Sequence, residues 1–220
     1  MSKLQKDSGF TILELLIATT VFSVILLIVT TGIIKIGNIY YKGITSSKTQ
    51  DVTRSITNDF SSTIQFANGV KTDDPTPPSG ATAFCLGDIR YNYYPNREYV
   101  KGGEFSSGLF SEDLSAGSTC SSTNTLCASP ADTNCIKDRR QLLGTSMRIL
   151  TLDLAQLSTS DKIWSVVIRV AYGTDDLLSN AGNSSTDPTY LSSVNCKSGI
   201  SGSSFCSVAE LDTLVKKRVE

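Results

Sequence analysis

An α+β fold, with one long N-terminal helix laid on an antiparallel sheet, is what the sequence predicts, and three observations predict it. The first is a run of twenty uncharged residues, Leu15 to Ile34, whose helical character continues as an apolar periodicity as far as Ala67. The second is strand-like alternation further along, clearest in "IWSVVIRVAY" at 163 to 172. The third is that six cysteines all lie beyond residue 80, mostly in long stretches rich in Gly, Ser, Thr and Asn. A helix on one face of a sheet, with long disulfide-stapled loops, accommodates all three.

Taken in order, the apolar run as a helix spans about 30 Å, the thickness of a hydrocarbon core, so it reads as one transmembrane helix. It is too long for a secretory signal, and the "KIGNIYYKG" that follows offers no small-residue cleavage site. Beyond Gly37 the residues Tyr41, Ile44, Val52, Ile56, Phe60, Ile64 and Ala67 recur at helical steps, interrupted by Lys48, and predict an amphipathic continuation. Asn68 and Gly69 suit the left-handed conformation that ends a helix. One helix from Phe10 to Ala67 would then run roughly 87 Å. A Pro-rich turn, "TDDPTPPSG" at 72 to 80, separates it from the strands. "DIRYNYY" (88 to 94) sets Ile89, Tyr91 and Tyr93 on one face, and "MRILTLDL" (147 to 154) does the same with Leu150, Leu152 and Leu154. The tail "LDTLVKKRV" fits a last edge strand or a short helix equally well. Residues 101 to 135 and 174 to 207 read as loops. The expected organisation is residues 1 to 9 as a leader, 10 to 36 as the transmembrane half-helix, 37 to 68 as the amphipathic half, and 69 to 220 as a β-rich head.

The 220 residues include no histidine, which removes imidazole ligation and the usual neutral-pH acid/base chemistry. A net charge of −1 provides no general basic footprint for nucleic acid. Cys85, Cys120, Cys127, Cys135, Cys196 and Cys206 lack CxxC spacing, so they read as disulfides formed in an oxidising compartment. Of the possible pairings the spacing favours only Cys196 with Cys206, across a short glycine- and serine-rich loop.

A single carboxylate, Glu14, stands near the start of the greasy run. "GFTILELLIATTVFS", following a short polar leader with two lysines, closely resembles the N-terminus of type IV pilins and pseudopilins, through Gly9, Phe10, Glu14 and the unbroken apolar run behind them. The resemblance implies cleavage between Gly9 and Phe10 by a prepilin peptidase, methylation of the new Phe10 amino group, and pairing of Glu14 with the Phe10 ammonium of a neighbouring subunit. Each such charge is costly in lipid alone, and pairing relieves both. Ala18, Thr19, Thr20, Ser23 and Gly32 offer small surfaces for helix packing. The implied partners are other pilin or pseudopilin subunits, the peptidase, a pilus assembly platform and the membrane, with the head outside the cytoplasm. Chain size and bulky loops favour a minor pilin at a tip or priming position; the alternatives are a type II secretion or DNA-uptake pseudopilin, and, in another class, a membrane-tethered binding protein that never assembles.

Other candidates carry bland readings. Asp175, Asp176 and Asp187 share a loop but lack EF-hand spacing, and read as solvated acids rather than a calcium site. Asn183 opens an acceptor-type "NSS". Lys216, Lys217 and Arg218 suit phosphate or an acidic partner less well than a solvated chain end, so DNA is an unsupported partner. Tyr91, Tyr93 and Tyr94 with Arg90 and Arg97 fit a half-buried sheet face more simply than a base-stacking surface. No metal or other cofactor and no catalytic constellation is expected, so the chain reads as a non-enzyme. The native protein, kept from reductant, should leave its six cysteines unlabelled by an alkylating reagent; labelling of all six, counted by intact-mass spectrometry, would overturn the oxidising-compartment reading.

Overall fold

The computed structural model describes residues 10–66, 71–101, 107–115, 118–121, 126–127, 135–158, 162–181 and 187–218. Helix α1 runs from Ile12 to Phe66. The chain forms two compact units, Met1–Tyr41 and Lys42–Glu220, that divide within it.

In the first unit α1 is apolar on every side and its side chains are exposed all round. Its hydroxyls are silenced by the helix's own backbone. Thr20 donates to the Ile17 carbonyl at 2.8 Å, Ser23 to Thr19 at 2.8 Å and Thr30 to Leu26 at 2.7 Å. These bonds leave no hydroxyl proton to be desolvated alone in hydrocarbon.

In the second unit the rest of α1 buries one stripe: Thr45, Thr49, Thr53, Ile56, Thr57, Phe60 and Ile64. This corrects the expected face, because Tyr41 and Ile44 are exposed and threonines occupy the buried positions between 45 and 57. Threonine reads as polar, but here each hydroxyl returns to the carbonyl four residues back, Thr49 to Thr45, Thr53 to Thr49 and Thr57 to Thr53, all at 2.8 Å. What remains outward is a methyl group, which packs like a small apolar side chain. The expected helix end at Asn68–Gly69 lies outside the described residues.

Among the described residues eight strands form two antiparallel sheets, where the alternation predicts one. β1 (Lys71–Asp73), β2 (Thr82–Leu86), β3 (Ile89–Tyr93), β4 (Leu109–Leu114) and β5 (Ile136–Gln141) make a five-stranded sheet in chain order. β6 (Met147–Ser158), β7 (Ile163–Tyr172) and β8 (Ser207–Lys216) make a three-stranded one, with β8 at an edge, which settles the tail as strand. β4 lies inside a stretch that reads as loop, since the polar "SED" in its middle hides the alternation. Asn96 and Tyr99, just after β3, donate backbone hydrogen bonds at 2.8 Å to Ile149 and Met147 of β6, and so tie the sheets together. Asn96 takes a left-handed φ of 55°, which turns the chain into that course.

One continuous core unites these elements. Ile56, Phe60 and Ile64 of α1 pack with Phe84, Tyr91, Leu109, Ile149, Val166, Ile168 and Val170 from both sheets. The Phe60 ring lies 4.3 Å from that of Tyr91 and 6.2 Å from that of Phe84. The Tyr91 hydroxyl sits 2.9 Å from both the Asp59 carboxylate and the Thr63 hydroxyl.

Burial, assisted by the Asp59 carboxylate and eased by the Thr63 hydroxyl, pushes the Tyr91 hydroxyl well above the ordinary tyrosine range. The folded state therefore holds this proton more tightly than the unfolded chain. That stabilisation is complete below the unfolded value of about 10 and drains away as the pH rises beyond it. Tyr91→Phe should cost about 1 kcal/mol at neutral pH through its lost hydrogen bonds, yet flatten the fall of stability above pH about 10. Denaturant titrations at several alkaline pH values would read this, and a slope unchanged from wild type would refute it.

Candidate functional site

The sequence places its functional residues at the head of α1, and there the structure describes Phe10 onward; Gly9 lies outside the described residues. Thr11 and Glu14 form a reciprocal cap. The Thr11 backbone N–H and hydroxyl each donate to Glu14 Oε2 at 2.9 Å, and the Glu14 N–H donates to the Thr11 hydroxyl oxygen at 3.2 Å. This is the Thr-x-x-Glu capping arrangement, which satisfies orphan donors of the first turn and sets a negative charge at the positive end of the helix. Phe10, Ile12 and Leu13 around it are exposed, as is the apolar surface that follows. The helix is long and apolar enough to cross a membrane, and none of its most apolar stretch is buried by the chain itself. Such a surface fits a single-pass membrane anchor, since in hydrocarbon it would be covered by lipid.

In the head, the three loop acids do separate work. Asp175 pairs with Arg148 at 2.6 Å. Asp176 accepts from the Thr174 hydroxyl, which holds its carboxyl below the ordinary range. Asp187 caps α2 (Pro188–Ser193) by accepting from the Thr189 N–H at 2.9 Å. Among the described residues no group of three or more Cys, Asp or Glu gathers as a metal site would require. At the chain end the Lys217 and Arg218 backbone N–H groups bond to Lys162 and Gln65 carbonyls at 2.9 and 3.0 Å. Asn183 lies outside the described residues.

The disulfides are Cys85–Cys120, Cys127–Cys135 and Cys196–Cys206. The last is the short-range pair that the spacing favours. Arg169 donates to the Ser192 and Val194 carbonyls at 2.8 and 3.0 Å, and the Thr45 hydroxyl donates to the Ser204 carbonyl at 3.0 Å. The segment from 187 to 206 is therefore held to β7 and to α1 as well as to itself.

Tyr91, Tyr93 and Tyr94 are all buried and present no stacking surface. Arg90, whose alternation suggests a solvated face, is also buried, and the reason is a charge network that the sequence does not disclose. Arg90 meets Asp74 at 2.7 Å and Glu112 at 2.5 Å, and Glu112 meets Arg139 at 2.6 Å. Arg90, Glu112 and Arg139 are direct cross-strand neighbours on β3, β4 and β5. The signal in the sequence is the placement of opposite charges in "LFSEDL" and "IKDRRQ", but only the register reveals that they meet.

Residues 4–30 match the family model for the prokaryotic N-terminal methylation motif. The chain thus carries the prepilin signal of type IV pilins and pseudopilins, on the segment where the capped glutamate opens an exposed apolar helix. The comparisons with curated proteins and with solved structures produced no match.

Removing one member of the buried charge network strands the others without solvent. Arg90→Ala should cost about 3 to 5 kcal/mol of head stability, measured by chemical denaturation, and a loss below about 1 kcal/mol would mean that the pairs contribute no more than surface ones.

Proposed function

We propose that the chain is a structural subunit of a type IV pilus-like filament, a minor pilin, held in the inner membrane by α1 until assembly. The match of residues 4–30 to the methylation motif carries this reading. Prepilin peptidase removes residues 1 to 9, leaving Phe10 as a methylated amino terminus, and the head lies outside the cytoplasm, where its three disulfides form. The same geometry supports the assembly role of Glu14. Among the described residues its carboxylate is engaged by Thr11, at an exposed helix start. A neighbouring Phe10 ammonium would exchange that local cap for an ion pair in apolar surroundings, where an unpaired charge is expensive. The pairing also selects one axial offset between helices. The long stapled loops of the head suit a tip or priming position, where a subunit need not repeat at every rung.

N-terminal mass spectrometry of the protein from its own membranes tests the proposal against Gly9→Val. A wild-type chain that begins at methylated Phe10, and a variant that keeps its leader, is the expected result. An intact leader in the wild type would defeat it and favour a tethered binding protein.

A further inference from the structure

Beyond Ile34 the exposed apolar surface of α1 continues through Ile36 and Ile39 and closes with Tyr40 and Tyr41, both exposed. Tyrosines at the end of a spanning helix sit at the headgroup layer, and Lys35 is long enough to reach that layer from below. Lys42 is the next residue, so chain connectivity alone sets it at the membrane surface. It lines a cavity of about 490 Å³ together with Ser46 of α1 and with Lys197, Ser198, Ser203 and Ser207. Most of that wall belongs to the loop closed by the Cys196–Cys206 disulfide. The loop is held in place from two sides: the Thr45 hydroxyl donates to the Ser204 carbonyl at 3.0 Å, and the Lys197 N–H donates to the Leu177 carbonyl at 2.9 Å. The same loop exposes Ile200 and Phe205.

Two ammonium groups and four serine side chains make this hollow rich in donors, and the described lining includes no carboxylate. Lys197 donates to the Asp176 backbone carbonyl at 2.8 Å, while the nearby Asp176 carboxylate is taken by the Thr174 hydroxyl, so among the described residues no carboxylate pairs directly with either lysine. A cation is disfavoured there. An oxyanion with several acceptor oxygens suits the donors, and at the membrane surface the phosphodiester of a phospholipid is the oxyanion already present. A zwitterionic lipid brings its own cation, which the lysines repel, whereas an anionic lipid does not. We propose that the hollow between Lys42 and Lys197 binds the phosphate of an anionic phospholipid headgroup, and that the Cys196–Cys206 loop rests on the lipid surface with Ile200 and Phe205 in the interfacial layer. The contact rests on α1 being the membrane anchor, and it is independent of leader cleavage and of filament assembly.

Hydrogen exchange, read by mass spectrometry on the full chain in nanodiscs, tests this. The discs hold phosphatidylcholine alone or an equal mixture with phosphatidylglycerol. Peptides covering residues 196–207 should exchange about fivefold or more slowly when phosphatidylglycerol is present, the scale expected for a lysine at an anionic surface. The slowing should vanish in Lys42→Gln/Lys197→Gln and persist in Lys42→Arg/Lys197→Arg. It should also persist in Lys137→Gln/Lys216→Gln, which removes the same charge elsewhere on the head. If the first variant does not fold, the comparison of lipids on the wild-type chain decides. A chain that fails to co-elute with the nanodiscs overturns the anchor reading and this inference with it. Insertion with no slowing, or with equal slowing in phosphatidylcholine alone, overturns this inference by itself. So does equal loss in the Lys137/Lys216 variant, which would reduce the effect to net charge, or equal protection by inorganic phosphate added to phosphatidylcholine discs, which would make the hollow a site for free phosphate.

Discussion

The head depends on one face of α1. Ile56, Phe60 and Ile64 present side chains that both sheets reach, and the Phe60 ring packs on the paired rings of Phe84 and Tyr91 in the five-stranded sheet. Burying a phenylalanine of this kind is worth about 1.5 to 3 kcal/mol before packing terms, and truncating it leaves a cavity that neither sheet can close alone. The threonine stripe that precedes it has a different character. The hydroxyls of Thr49, Thr53 and Thr57 are consumed within the helix, so that stretch presents a small, smooth surface, while the Thr45 hydroxyl reaches across to the Ser204 carbonyl.

Much of this is legible in the amino-acid sequence. The apolar run, the alternation of β7 and the pairing of the cysteines as disulfides follow from periodicity and composition, because each reflects a single strong constraint: an all-round apolar helix surface, a half-buried sheet, or cross-linked loops. β4 and β5 escape such a reading for the opposite reason. Glu112 and Arg139 make their strands look solvated, and only the register shows that the buried Glu112 pairs with Arg90 on one side and with the half-buried Arg139 on the other. The threonine face of α1 is hidden because hydropathy scores a hydroxyl that, within a helix, has already found its acceptor. At the N-terminus the residues that matter are legible one by one. Their reciprocal bonding has a spacing signal of its own, Thr-x-x-Glu at the start of an apolar helix, which reading Glu14 singly passes over.

The two units face opposite problems with polar groups. In the first, hydrocarbon favours hydroxyls satisfied within the helix, and the backbone carbonyls three and four residues back take those of Thr19, Thr20, Ser23, Thr30 and Thr31. In the second, charged groups are buried and paired side by side on a sheet face. Replacing such a network with apolar residues is often neutral or stabilising, so its presence says more about specificity of register than about strength. Asp74, Glu112, Arg90 and Arg139 can all be matched only if β3, β4 and β5 pair as they do. A slip of one residue in β3, β4 or β5 would turn Arg90, Glu112 or Arg139 to the opposite face of the sheet.

Glu14 follows the same logic. A charge that is expensive when misplaced is a good device for choosing among otherwise equivalent arrangements, and apolar helices in lipid have many near-equivalent offsets. In the isolated chain the local cap keeps the cost of Glu14 low, since Thr11 supplies two donors at one carboxylate oxygen. A cap of this kind is strong enough to hold the carboxylate ready and weak enough to yield to a full ammonium, because a charge-assisted bond to a cation outweighs bonds to a neutral hydroxyl and amide. The head and the anchor therefore use one principle twice: paired charge in an apolar setting fixes a register, within a sheet in the one case and, in the proposed filament, between subunits in the other.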